Sequence, residues 1–188
     1  METRRALGLA ITCGIMLLCS PFAAGAPTSG KPADKARRIR QMTGTQAGVI
    51  VQLGCSGGEL MEALRNSGDY LIHGLDGSRH EVGACRSYLR SRDIYGPVSV
   101  THWSGDRLPY VNNFADLVIQ TEGADVSADE MMRVLAPGGA VCKITANGVS
   151  VKRKSWPKDI DEWTHYLHDP TNNAVSEDKE VGPPRHMQ

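Results

Sequence analysis

The chain of 188 residues carries 21 basic and 21 acidic side chains and only 5% aromatic residues. That length supports one domain of ordinary size with little to spare. Balanced charge and sparse aromatics argue against a nucleic-acid surface, whether it binds the backbone or stacks on bases.

The first 26 residues read as a targeting segment. Arg4 and Arg5 precede an apolar run over residues 6–18, too short to span a bilayer comfortably, and Ala24-Gly25-Ala26 offers a small-residue cleavage site. The expectation is a signal peptide cleaved after Ala26, a product exported to the periplasm or cell envelope, and no stable membrane span after cleavage. The alternatives are an uncleaved anchor and a twin-arginine route, faintly echoed in Thr3-Arg4-Arg5-Ala6-Leu7. Cys13 and Cys19 leave with the signal. Cys55, Cys85 and Cys142 remain, without metal-type spacing. They read as small buried hydrophobes, with one disulfide after export as the alternative.

Residues 27–44 read as a linker followed by a short basic lead-in helix over 34–42, with Ile39 and Met42 as its apolar contacts. Val49-Ile50-Val51-Gln52-Leu53 is apolar at four of its five positions and β-branched at three, the pattern of a strand buried on both faces. The chain then turns at Gly54, Gly57 and Gly58 before the helix formers Glu59-Leu60-Met61-Glu62-Ala63-Leu64. Strand, glycine turn and helix make the first half of a βαβ unit, with backbone open to a ligand and helix N–H groups open to an anionic group. A dinucleotide turn, G-x-G-x-x-G, fits poorly, because Ser56 and Glu59 stand where two of its glycines belong.

Residues 70–76 form the predicted second strand. Asp76, at its carboxyl end, is placed to accept hydrogen bonds from both hydroxyls of a ribose, or else to cap the helix that follows. That helix, over 78–92, turns Val82, Cys85 and Leu89 inward and Arg86, Arg90 and Arg92 outward. Residues 98–102 are the third strand. Asp106, in the loop beyond, is placed to bond an adenine amino group with Trp103 flanking the ring, or else belongs to a plain aspartate turn. Residues 114–120 are the fourth strand. Ser127 and Glu130 read as a capping box for a helix with Met131, Val134 and Leu135 on its apolar stripe. Ala136-Pro137-Gly138-Gly139 stops that helix, and residues 140–144 are the fifth strand. Strands alternating with helices call for an α/β fold with a doubly wound, mostly parallel sheet. Ligands bind such a sheet at the carboxyl ends of its strands, beside the first one.

Three segments together resemble the class I S-adenosylmethionine (SAM)-dependent methyltransferases, which are Rossmann-like. They are Gln52-Leu53-Gly54-Cys55-Ser56-Gly57-Gly58, Gly74-Leu75-Asp76 and Met132-Arg133-Val134-Leu135-Ala136-Pro137-Gly138-Gly139. Gly105-Asp106-Arg107-Leu108-Pro109-Tyr110 is similar to the family's adenine loop. The resemblance places a methyltransferase-like domain over residues 45–150. It implies SAM as cofactor and methyl transfer to an unknown acceptor. By the same resemblance Gly54, Ser56 and Gly58 line the methionine moiety, with Gly57 in the same turn, Asp76 holds the ribose and Asp106 the adenine. Glu122, after the fourth strand, is the candidate general base, or else a solvated loop carboxylate. Gln52 replaces the family's usual acid and Ser56 its middle glycine; both changes imply weakened SAM binding. The family's last two strands are expected to be missing, since the chain turns polar and irregular after Ile144.

Residues 151–188 carry a second resemblance. Trp156-Pro157-Lys158-Asp159-Ile160-Asp161-Glu162-Trp163 and the residues after it look like the segment leading into the β-propeller of exported bacterial proteins similar to pyrroloquinoline-quinone-dependent enzymes. The implication is a fragment whose propeller is missing, with the methyltransferase-like part as a non-catalytic scaffold or partner-binding domain. Asp161, His165, His168 and Asp169 are spaced for one face of a helix. The expectation there is an interdomain helix docking through Trp163 and Tyr166 and no metal site, with metal ligation as the alternative.

Overall fold

The computed structural model describes residues 31–146, 148–159, 161, 164–168, 170–171, 173–176 and 179. The expected signal peptide lies outside the described residues, as do Trp163 and Asp169. No described helix is long and apolar enough to cross a membrane.

Helix α1 (Pro32–Thr43) buries Ala36, Ile39 and Thr43, and Gly44 ends it with a left-handed cap. The lead-in helix is therefore packed rather than merely solvated. Then follow β1 (Ala47–Leu53), a short turn of 3-10 helix (Ser56–Gly58), α2 (Glu59–Arg65), β2 (Asp69–Asp76), α3 (Arg79–Ser91) and β3 (Val98–His102). After them come β4 (Ala115–Gln120), α4 (Ala128–Val134), β5 (Leu135–Thr145) and β6 (Gly148–Arg153).

The sheet runs β3-β2-β1-β4-β5-β6. Every neighbouring pair is parallel except β5 with β6. Side chains alternate along a strand, so each strand feeds two cores. Ile50, Ile72, Leu117, Ile119 and Cys142 pack with α1, α2 and α3 on one face. Val51, Leu53, Leu75, Val118 and Val141 pack with Met131 and Val134 of α4 on the other. The doubly wound α/β sheet expected from the sequence is present. Its order reverses at β1, which lies between β2 and β4, so a crevice opens over the carboxyl end of β1.

Four local expectations are corrected. First, helices do not alternate with strands throughout: β3 and β4 are joined by an irregular segment, residues 103–114. Arg133 of α4 clamps it, donating to Leu108 O (3.1 Å), Tyr110 O (2.9 Å) and Asn112 Oδ1 (2.8 Å). Second, the capping box is half formed. Ser127 Oγ accepts from Glu130 N–H at 3.2 Å. The Glu130 carboxylate instead takes the Leu108 N–H (2.7 Å) and a two-pronged bond from Arg133 (2.6 and 2.8 Å). A carboxylate offered a guanidinium fork has a stronger partner than a lone backbone N–H.

Third, the chain does not turn irregular after Ile144. Strand β6 pairs antiparallel with β5, and its Val149 and Val151 pack on the core while Ser150 and Lys152 alternate away. Fourth, no helix forms at residues 164–168. They make a tight reversal, with a bridge between His165 and His168 and Tyr166 on its exposed tip. His168 Nε2 lies 2.5 Å from Asp161 Oδ2. Among the described residues no group of three or more His, Cys, Asp or Glu gathers to hold a metal ion.

The Arg133 fork sets an acid limit on stability. Its guanidinium holds the Glu130 carboxyl below the usual carboxylate range. A lowered folded value contributes stability above the unfolded one, and the contribution is lost as pH falls through the folded value. Arg133→Met is expected to lower Tm by several degrees at pH 7, and by progressively less as pH falls through the lowered folded value of Glu130. Thermal melts of both proteins across that range test it. Arg133→Lys should recover little, because an ammonium cannot reproduce the fork.

Candidate functional site

The carboxyl ends of β1 and β2 carry two consecutive turns, and one side chain ties them together. Asp76 Oδ2 accepts from Cys55 N–H and Asp76 Oδ1 from Ser78 N–H, each at 2.8 Å. Ser78, not Asp76, is the N-cap of α3, with its side chain accepting from Glu81 N–H. Each Asp76 oxygen keeps a further lone pair. On the other side of β1, Gly54 has a positive φ of 86°. A Cβ there would stand 2.0 Å from Thr121 Oγ1. That hydroxyl donates to Leu53 O at 2.8 Å and joins the end of β4 to the end of β1.

Between these turns lies a cavity of about 480 Å³. Gly54, Ser56, Asp76 and Asp106 all line it, together with Trp103. Gly57 and Gly58 do not. Gly58 is buried against α3, where an added Cβ would meet Cys85 Sγ at 3.0 Å and Tyr88 Cδ1 at 3.1 Å. Sequence reasoning missed Glu81, Thr121 and Asp125, which also line the cavity. Glu81 belongs to the first turn of α3, and the other two to the loop after β4, where the motif-bearing segments give no signal.

The charge of this cavity is one-sided. Asp76, Glu81, Asp106, Glu122 and Asp125 line it, and among the described residues no Lys, Arg or His does. Such a wall favours a cation and repels a pyrophosphate. A second cavity, of about 310 Å³, adjoins the first and shares Ser56, Thr121 and Glu122 with it. Lys35 of α1, Glu59 and Leu60 of α2, and Ile144 of β5 close its other sides. Glu122 thus stands at the junction of the two.

The two sequence departures differ physically. Ser56 has a positive φ of 42°, in the left-handed region that favours glycine. Gln52 is fully buried beneath the turn. Its Nε2 donates to Gly54 O at 2.9 Å, and its Oε1 meets no partner. A carboxylate at position 52 has no proton to give that carbonyl.

Residues 50–139 match the family model described as "Methyltransferase domain". No curated protein matches the chain. A solved structure from Methanococcus maripaludis, provisionally assigned as an S-adenosyl-L-methionine-dependent methyltransferase, is 24% identical with a TM-score of 0.54, covering 60% of this chain and 54% of its own. Geranyl diphosphate methyltransferase in complex with SAM is 16% identical with a TM-score of 0.53, covering 59% and 48%. The [4+2]-cyclase SpnF is 20% identical with a TM-score of 0.53, covering 59% and 43%. The chain spans about half the length of these structures.

Placing the acid and the glycine of the family pattern at these two positions should have unequal effects. Gln52→Glu is expected to destabilise the domain by about 1–3 kcal/mol at pH 7, because a buried carboxylate would face Gly54 O. Burial raises such a carboxyl's pKa, so the penalty should shrink as pH falls and the acid form donates. Ser56→Gly should stay within about 1 kcal/mol of the parent, since relief at positive φ offsets glycine's extra unfolded-state entropy. Urea titrations at pH 7 and pH 5 read both. Residues 50–139 are thus similar to a methyltransferase domain, and the fold is shared with solved methyltransferase structures.

Proposed function

We propose that the larger cavity binds SAM and that a methyl acceptor enters through the smaller one. The observation that carries this reading is that every charged residue described as lining the cavity at the switch point of the sheet is acidic. SAM is a net cation at neutral pH, bearing a sulfonium and an ammonium against one carboxylate, whereas a dinucleotide is anionic. The volume suits a ligand of this size. The matched methyltransferase-domain family and the neighbour solved with SAM agree with the choice.

In this reading Asp76 takes the ribose hydroxyls with the lone pairs left over from bracing Cys55 and Ser78. Asp106 accepts from the exocyclic amino group of adenine, and the Trp103 ring flanks the base. Gly54 leaves its backbone bare where the methionine end lies. When bound, SAM supplies an electrophilic methyl group. The chain's own part is positioning, and Glu122, at the junction of the cavities, is placed to take a proton from an acceptor.

Calorimetric titration of the full chain tests the proposal. SAM is expected to bind with micromolar affinity and to bind more tightly than its demethylated product, which lacks the sulfonium charge. The preference should narrow as salt is raised. Asp106→Ala should weaken SAM by at least about tenfold, the worth of one charge-assisted hydrogen bond, with Tm unchanged, since Asp106 is exposed. Absence of heat from a folded sample would overturn the reading.

A further inference from the structure

Cys55 and Cys85 are fully buried in the same apolar cluster, on different elements. Cys55 begins the turn after β1, and Cys85 lies on the inward stripe of α3 with Val82 and Leu89. Gly58 N–H donates to Cys55 O at 3.0 Å, which curls residues 55–58 against the helix. Gly58 has no side chain, so α3 comes close enough that an added Cβ would be 3.0 Å from Cys85 Sγ. The two thiols are thereby brought to one buried seam between the turn and the helix, where each acts on the other's titration. Both are free. The third described cysteine, Cys142, is also free and buried, in β5.

We propose that Cys55 and Cys85 form a reversible disulfide that staples the glycine turn to α3. The assignment stands whatever the cavity binds. Its consequence for the cavity rests on the SAM reading: the staple fixes the residue whose N–H holds Asp76. The turn and the helix are already packed against each other at Gly58, one short turn from Cys55, so forming a bond of about 2.05 Å calls for local adjustment at that seam. Each thiol gives up its proton and a new S–S bond forms. The two electrons pass to a small disulfide oxidant, such as oxidised glutathione, whose own S–S bond breaks to give two thiols. The interaction of the two thiols lowers that of Cys85 and raises that of Cys55. Cys85 is thus the attacking sulfur, and Cys55 resolves the mixed disulfide.

The test uses the full chain, exposed to a glutathione redox buffer both while folded and during refolding. Free thiols are then alkylated and the digest is mapped by mass spectrometry without reduction. The expected result is one linked peptide pair, Cys55 with Cys85, two hydrogens lighter than the separate peptides, with Cys142 alkylated. Tm should rise on the order of 10 °C, the effect of closing a loop of this length, and fall back on reduction. Cys142→Ala should leave the link and the rise intact; Cys85→Ser should abolish both. Linkage through Cys142, glutathione left unresolved on either cysteine, or no link under both regimes would overturn the proposal. Because linkage is read by mass in the parent chain, neither a poorly folding variant nor a failed SAM titration changes the outcome.

Discussion

The crevice depends on one carboxylate. Asp76 ends β2 and reaches across to the first turn after β1, holding Cys55 N–H with one oxygen and Ser78 N–H with the other. Those donors belong to two turns on adjacent parallel strands, just beyond the backbone bond from Gly54 N–H to Leu75 O (2.8 Å). A backbone donor satisfied by an ionised oxygen is among the stronger hydrogen bonds a protein makes. Of the two functions weighed for Asp76 from sequence, the helix cap falls to Ser78, and Asp76 holds Ser78 while it lines the cavity.

The opposite wall is built by a different device. Thr121 ends β4 and donates its hydroxyl to Leu53 O, and the space for that hydroxyl exists because residue 54 has no Cβ. The loop that begins at Thr121 then brings Glu122 and Asp125 to the cavity. Carboxylates from four separate segments converge there without a balancing base. Gathering like charge costs stability through mutual repulsion, and the cost is relieved when a cation arrives. An acidic crevice on this fold is thus better matched to a sulfonium than to a phosphate, although the fold alone hosts many ligands.

The parallel strands were legible because, when buried, they leave continuous apolar runs such as residues 49–53, with glycine or proline breaks between them. Asp76 and Asp106 were legible because they end such runs. Other features depend on tertiary partners that the local pattern does not contain. The Ser127–Glu130 spacing reads as a capping box, but Arg133 and Leu108 compete for the glutamate and win. Strand β6 has only two apolar residues facing the core, Val149 and Val151, too few to stand out amid Ser150, Lys152 and Arg153. Glu81 and Asp125 face the cavity through the placement of a helix end and a loop, which spacing along the chain does not report.

The glycine turn shows why a motif can point to the right place for the wrong reason. Gly54 clears room for Thr121, Gly57 bends the chain at a φ of 77° in open space, and Gly58 lets α3 approach. Of the three, Gly54 faces the cavity and Gly58 faces the core. The spacing records the packing of turn, helix and neighbouring strand as much as it records a ligand. Gln52 makes the same point beneath the turn: its amide donates to Gly54 O, a bond that an acid could make only when protonated. A departure from the family pattern at a position that faces the backbone, not the ligand, is a change in how the turn is supported. Loss of the ligand does not follow from it.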